Sequence, residues 1–294
     1  TGAMKLPVDF RLLKERYLGE ASRKPWVAEK RLAELLPFLQ PDTEDIVRHA
    51  VVSLMAYQNP DYALVYLNRV GRYTGPNKEP CAFLASVASR MEARMRYADP
   101  PSIAQEALTN GGEEGASPTR RVSFCLCDLA GMLPPSAADT ALQVMSYLRL
   151  SQRTVVLKFS SRAGWRRRWT EAWALLRYAR TYSRRAKTEN AWVERWLHMI
   201  DRVRASQPEA VMEMVQTADI VAGSGADYHQ GIANWNLIVD RLVKPACDGG
   251  IGPIDLAAAL RVVLHAAADR PEPVVLERQI DRLIAPKPLQ LQTA

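Results

Sequence analysis

The stretch WRRRWTEAWALLRYARTYSRRAKTENAWVERWLHMIDRV, Trp165 to Val203, decides the fold class. Trp165, Trp169, Trp173 and Leu176 fall at i, i+4, i+8 and i+11, and Trp192, Trp196, Met199 and Val203 repeat the device. Each set therefore shares one face of an α-helix. A regular aromatic stripe of this kind reads as core-facing, with the arginines between its members turned elsewhere. Nothing from Arg162 to Val203 forces a break. Unbroken, these 42 residues would make a rod of about 63 Å, longer than the roughly 50 Å diameter of a compact chain of this size. The sequence predicts a kink in the polar run Thr181 to Asn190, or an arm that projects as an interaction surface.

The same periodicity extends outward through the chain, and period-two alternation bounded by turn residues is nearly absent. The expectation is an all-α protein, an irregular multi-helix array or bundle with one long, kinked, basic helix. Phe10, Leu13, Tyr17 and Leu18 give a first stripe, and Pro25 opens a helix to about Leu39. Asp42 is placed as the cap of a segment from Ile46 to Gln58, broken at Asn59-Pro60 and resumed to about Tyr73. Helix returns from about Pro80 to Tyr97. Ser136 with Asp139, and Ser206 with Glu209, have capping-box spacing, and Gly223 stops the second of these helices. Residues 110–119, rich in glycine and acids, read as a surface loop or a subdivision. Residues 1–4 read as an expression scar, 5–285 as one all-α domain and 286–294 as a tail.

The composition, 48% hydrophobic and 24% charged over 294 residues, is that of a globular protein and excludes a disordered or collagenous chain. No uninterrupted apolar window of about 18 residues exists, so no membrane span is predicted. The net charge of +7 is local: Lys158 to Lys187 holds ten Lys or Arg against Glu171 alone, leaving −2 on the rest. One basic segment, not a basic protein, has to be explained, as a solvated face or as a contact with an acidic partner. Arg166, Arg167, Arg177, Arg180 and Arg184 are the candidate partner contacts. Nucleic acid is disfavoured, because a stacking platform must expose its rings and the stripe reads as core.

Cys81, Cys125, Cys127 and Cys247 are too few and too scattered for a disulfide scaffold and suit a reducing cytoplasm. Cys125 and Cys127 have no second pair to complete four thiolates and read as buried or free thiols; no metal-ligand spacing appears. The turn VAGSGADYHQGIANW, Val221 to Trp235, carries Gly223, Gly225, Asp227, His229 and Gly231. Glycines admit close backbone approach to an anion, and an Asp near a His can fix its tautomer. No strand, and no Lys-Ser/Thr pair, makes this a nucleotide fingerprint. The turn is read as a helix cap and connector, with a ligand or catalytic role as the sharper alternative. His49, His198 and His265 are read as structural or surface residues.

Four segments in order, LMAYQNPDYALVYLNRV (Leu54 to Val70), RMEARMRYADPPSIAQEAL (Arg90 to Leu108), the basic Trp-rich stretch with AWVERWLHMI (Ala191 to Ile200), and GSGADYHQGIANW, resemble one family. It is the helical C-terminal region of the beta chain of two-subunit, aerobic-type indolepyruvate oxidoreductases. The family's turn has a lysine and an arginine where this chain has Ala222 and Gln230, and its histidine falls one position before His229, so no catalytic residue carries over. The resemblance implies a helical accessory or assembly domain, not catalytic alone. It implies partners: an alpha subunit holding thiamine diphosphate and iron–sulfur clusters, and a gamma-like N-terminal domain expected to lie outside these 294 residues. The complex would oxidatively decarboxylate an aryl 2-oxoacid to an acyl-CoA. No cofactor is expected in this chain, and the location is expected to be cytoplasmic. The rival readings are a nucleic-acid-binding helical module using segment 158–187 and a free-standing enzyme using the Gly223 to Gly231 turn.

Overall fold

Proline and short polar caps set most of the helix starts in the computed structural model, which describes residues 25–74, 81–110, 119–150, 153–223, 225–269 and 271–285. The stripe at Phe10 to Leu18, the loop 111–118 and the tail from Pro286 lie outside these residues. Helix α1 spans Pro25–Leu35 and runs into a 3₁₀ turn, Leu36–Phe38. Helix α2 is Pro41–Tyr57, capped by Gln40 rather than Asp42, because Pro41 takes the first helical position, where its missing N–H costs nothing. Asn59 breaks the run and caps α3, Pro60–Val70, by accepting the Tyr62 N–H at 2.9 Å. Helix α4 is Cys81–Met95 and α5 is Pro100–Asn110. At the head of α5, Asp99 and Ser102 each accept the other's backbone N–H, at 2.9 and 3.1 Å.

Two strands follow that the sequence does not announce. β1, Thr119–Cys125, pairs antiparallel with β2, Thr154–Ser160, in the register Thr119↔Ser160 to Cys125↔Thr154. Between them lie α6, Leu126–Gly131, and α7, Pro135–Tyr147. Each strand is covered only at its own C-terminal end, at Phe124 and Cys125 on β1 and at Phe159 and Ser160 on β2, which the antiparallel register places at opposite ends of the pair. With Val155 and Val156 both exposed, no alternation is written into TVVLKFS, and only its β-branched content signals a strand. α7 begins at Pro135 with Pro134 as its cap, so Ser136 and Asp139 form no capping box; Asp139 instead pairs with Arg184 at 2.7 Å.

The long basic rod is broken. α8, Trp165–Leu175, passes into a 3₁₀ segment, Leu176–Tyr182, and α9, Arg184–Ser206, starts afresh. Ser183 lies between them in extended backbone and caps α9 by accepting the Ala186 N–H at 3.1 Å. The break begins at Leu176, earlier than Thr181, because Arg180 is drawn inward to a carboxylate. Ser206 is the last residue of α9 rather than a cap; a 3₁₀ turn, Pro208–Ala210, leads into α10, Val211–Gln216. After the turn Thr217–Ile220 come α11, Ala226–Ile238, a π-turn at Val239–Val243, α12, Lys244–Asp248, α13, Leu256–Ala268, and α14, Pro273–Ile284. The protein is all-α with a small two-stranded sheet.

Two cores result. The larger gathers α1 to α4 and α9 to α14 around Leu54, Tyr66, Met91, Trp196, Trp235 and Leu260. Trp192 and Trp196 stack at 6.1 Å, and Trp192 meets Trp235 edge-on at 5.0 Å. The buried indoles of Trp196 and Trp235 donate to the Met214 carbonyl and Thr217 Oγ1. The smaller core, Ile103, Ala104, Phe124 and Phe159 with Trp173 against it, ties α5, α8 and the strand pair into a lobe. The second Trp stripe is core, as expected. The first is not: Trp165 is 73% and Trp169 47% exposed, because α8 packs against α5 and β2 chiefly through Thr170, Trp173 and Ala174.

Candidate functional site

One candidate surface lies where the small lobe meets the larger core, the other on the small lobe itself. The first is the seam where the end of β1 meets the start of α11. Gly223 and Gly225 adopt positive φ, +91° and +59°, so the chain reverses into α11 within a few residues. The Gly225 N–H donates to Asp128 Oδ2 at 2.8 Å, fastening the turn to α6. Gly231 packs α11 against the preceding turn so closely that a Cβ would stand 2.5 Å from the Ile220 carbonyl oxygen.

This fastening brings His229 to a pair of cysteines a hundred residues away. Cys125 closes β1 and Cys127 lies in the first turn of α6. Their sulfurs are 2.7 Å apart, and His229 Nε2 is 3.7 Å from Cys127 Sγ. One ligand atom each of Cys127, Asp128 and His229 lies within 4.8 Å of the others. Burial, then the hydrogen bond to Cys125 and the charge of Asp128, push the Cys127 thiol up to about 12. Burial holds the His229 imidazole below its ordinary range, the nearby Asp128 opposing and Arg185 and Arg184 adding to it.

Behind it runs an ionic chain. Asp128 Oδ1 accepts from Arg185 at 3.0 Å, Arg185 donates also to Glu189 at 2.9 Å, and the other oxygen of Glu189 takes Arg94. The Arg185 guanidinium lies 3.6 Å over the Tyr228 ring, and Arg94 4.9 Å over Trp192. Beside this chain opens a cavity of about 230 Å³ with apolar walls including Phe124, Leu129, Met132 and Trp173, and with the Asp99–Arg180 and Asp128–Arg185 pairs at its polar edge.

The second surface is the outer face of α8. Trp165, Arg166, Arg167, Arg168 and Trp169 are exposed, with the Arg166 guanidinium 5.8 Å over the Trp165 ring. Tyr147 (88% exposed), Val144, Leu148, Val155 and Val156 extend the exposed apolar area of the same lobe.

The five candidate arginines separate. Arg166 and Arg167 are exposed, the latter joined to Glu171 at 3.0 Å. Arg177 is half-buried on Tyr178, and Arg184 is partly exposed on Asp139. Arg180 is not a surface residue. It is buried, donates to both oxygens of Asp99 at 2.6 and 2.8 Å and to the Tyr57 carbonyl at 2.9 Å, and stacks on Tyr57. Of the turn residues, Gly225 and His229 reach the cysteine site, Gly223 and Gly231 shape the backbone, and Asp227 is exposed. The carboxylate brought to the histidine is that of Asp128, which the sequence gives no reason to choose. His49, His198 and His265 are exposed.

Among the described residues no helix is long and apolar enough to cross a membrane. A family model described as "Family of unknown function (DUF6537)" matches residues 43–241, about two thirds of the chain. No curated protein and no solved structure matches it. The chain belongs to that family, and the match covers the small lobe, α9 and the cysteine–histidine seam.

Proposed function

We propose that this member of the DUF6537 family is a docking domain of a two-subunit oxidoreductase for aryl 2-oxoacids, of the indolepyruvate type. It shapes the assembly while decarboxylation and electron transfer take place on the thiamine diphosphate and iron–sulfur clusters of a partner subunit. The resemblance of four ordered segments supports the enzyme class. The observation that carries the docking role is the aromatic and basic face of α8.

Large aromatic rings and arginines are the side chains enriched where proteins meet. Covering the exposed parts of Trp165 and Trp169 removes on the order of 240 Å² from water, worth about 6 kcal/mol before the costs of association. Arg166, Arg167 and Arg168 beside them call for an acidic partner surface, and complementary charge of this kind speeds encounter and fixes register. The chain assayed with an aryl pyruvate, CoA and an electron acceptor should be inactive alone and should co-elute with the thiamine-binding subunit. Turnover without that subunit overturns the reading.

The exposure of the two rings also favours a second reading, a single-strand nucleic-acid surface, since rings open to solvent beside arginines are what base stacking needs. Its signature is binding that weakens steeply with salt. Fluorescence anisotropy with short single and double strands at two salt concentrations separates it from the first.

A further inference from the structure

We propose that Cys125, Cys127 and His229 hold one divalent transition-metal ion of the zinc type, with the fourth position open to water and Asp128 oriented toward that water. The inference is independent of the docking role.

Zinc takes thiolate at about 2.3 Å and imidazole at about 2.0 to 2.1 Å in a tetrahedron. These bond lengths put a sulfur and a nitrogen about 3.6 Å apart, and Cys127 Sγ and His229 Nε2 stand at 3.7 Å. The two sulfurs, now 2.7 Å apart, have to part to about 3.8 Å on binding, a shift of about 1 Å that Cys125 Sγ has to make if the Cys127–His229 spacing is kept. Asp128, whose carboxylate lies within 4.8 Å of the Cys127 and His229 ligand atoms, is near enough to orient a water bound to the ion.

The surroundings are those of a held site. Metal ligands are oriented by groups that hydrogen-bond behind them, and here Asp128 is pinned from two sides, by the Gly225 N–H and by Arg185. Gly225 is at φ +59° with its missing Cβ 3.5 Å from Cys125 Cβ, so the turn closes against the Cys125 side chain. Charge also balances: two thiolates cancel the dication, Arg185 cancels Asp128, and Arg94 cancels Glu189. Cys125 is buried while His229 faces solvent, which gives the ion an inner wall and a way in. Two thiolates and an imidazole select zinc or a similar borderline metal over calcium or magnesium, which require oxygen ligands. Binding displaces the two thiol protons to solvent, as metal binding by cysteine does generally.

The test uses the whole chain, stripped with a chelator and kept reduced with a phosphine. Titration with Co²⁺ alone should give a thiolate-to-cobalt charge-transfer band and the strong visible bands of a tetrahedral ion, saturating at one equivalent and lost on adding Zn²⁺. Cys127→Ser and His229→Ala should each weaken binding more than tenfold, Asp128→Asn by about 10 to 100-fold, and Cys247→Ser not at all. Should a variant fail to fold, alkylation of the wild-type chain decides without it: Zn²⁺ should protect Cys125 and Cys127 from iodoacetamide, read by mass spectrometry, and leave Cys247 reactive. Absence of the cobalt bands, equal alkylation with and without zinc, or recovery of only a Cys125–Cys127 disulfide that takes up no metal after reduction overturns the proposal.

Discussion

Removing one member of the Asp99–Arg180 pair is the sharpest test of how the two lobes are joined. Asp99 caps α5 and Arg180 lies within the 3₁₀ segment, and both are more than nine-tenths buried. Arg180→Met strips Asp99 of its two charge-assisted bonds and the Tyr57 carbonyl of its donor, leaving a carboxylate in an apolar pocket. Breaking such a pair from one side costs about 3 to 5 kcal/mol, because the remaining charge loses its partner without regaining water. Unfolding entropy for a chain of this length is about 0.6 kcal/mol per kelvin, so the melting temperature should fall by about 5 to 8 °C. Asp99→Asn should act similarly by leaving the guanidinium unpaired. The double variant Asp99→Asn/Arg180→Met should be less destabilised than the sum, since no isolated charge remains. Arg166→Gln, at an exposed position, should move the melt by about 1 °C or less. Differential scanning calorimetry of the wild type and these four variants provides the comparison. A fall for Arg180→Met no larger than that for Arg166→Gln would refute the reasoning.

Three further outcomes follow from the same geometry. Gly231→Ala sets a Cβ 2.5 Å from the Ile220 carbonyl oxygen, a backbone atom that has to move, and should destabilise by about 1 to 3 kcal/mol in urea titration; a neutral result would show that α11 is free to shift. Trp196→Ala, at a fully buried ring, should cost about 3 to 5 kcal/mol, against roughly 1 for Trp165→Ala, whose ring is mostly in solvent already; equal costs would mean α8 packs inward. Burial raises the phenols of Tyr57, Tyr62 and Tyr66 above their usual 10, and each donates to a backbone carbonyl. Because the folded state keeps these protons more tightly than the unfolded chain, their contribution is intact below about pH 10 and is lost as pH rises beyond it. A chemical-denaturation midpoint unchanged between pH 9 and pH 11 would contradict this, and Tyr62→Phe should flatten the decline.

The helices were legible where apolar spacing met a breaker. Asn59-Pro60 and the second tryptophan stripe fall where the sequence puts them, because each is a local signal; the stop expected at Gly223 comes earlier, with α10 ending at Gln216 and the 3₁₀ turn at Ile220. The strand pair was not legible, since TRRVSFC and TVVLKFS each bury only their last two residues and the paired residues lie 29 to 41 positions apart, from Cys125↔Thr154 to Thr119↔Ser160. The first tryptophan stripe has the same spacing as the second, and spacing alone does not tell a helix facing a large core from one lying on a small lobe with its N-terminal rings outside. Arg180 shows the same limit: its charge is visible in the sequence, but Asp99, 81 residues away, is what draws it inward. The cysteine seam was half legible. Cys125 and Cys127 stand out as a pair and His229 as part of a glycine turn, but nothing in sequence joins them; the Gly225 to Asp128 hydrogen bond does.

The docking claim is tested most directly by titrating the intact chain into the thiamine- and iron–sulfur-containing subunit and following association by surface plasmon resonance at low and high salt. The account predicts a complex whose association rate falls with salt, and which is abolished or severely weakened in Trp165→Ser/Arg166→Gln/Trp169→Ser while the thermal melt stays within a few degrees of wild type. A complex formed equally well by that variant, with the same salt dependence, would contradict it and move the contact surface away from α8.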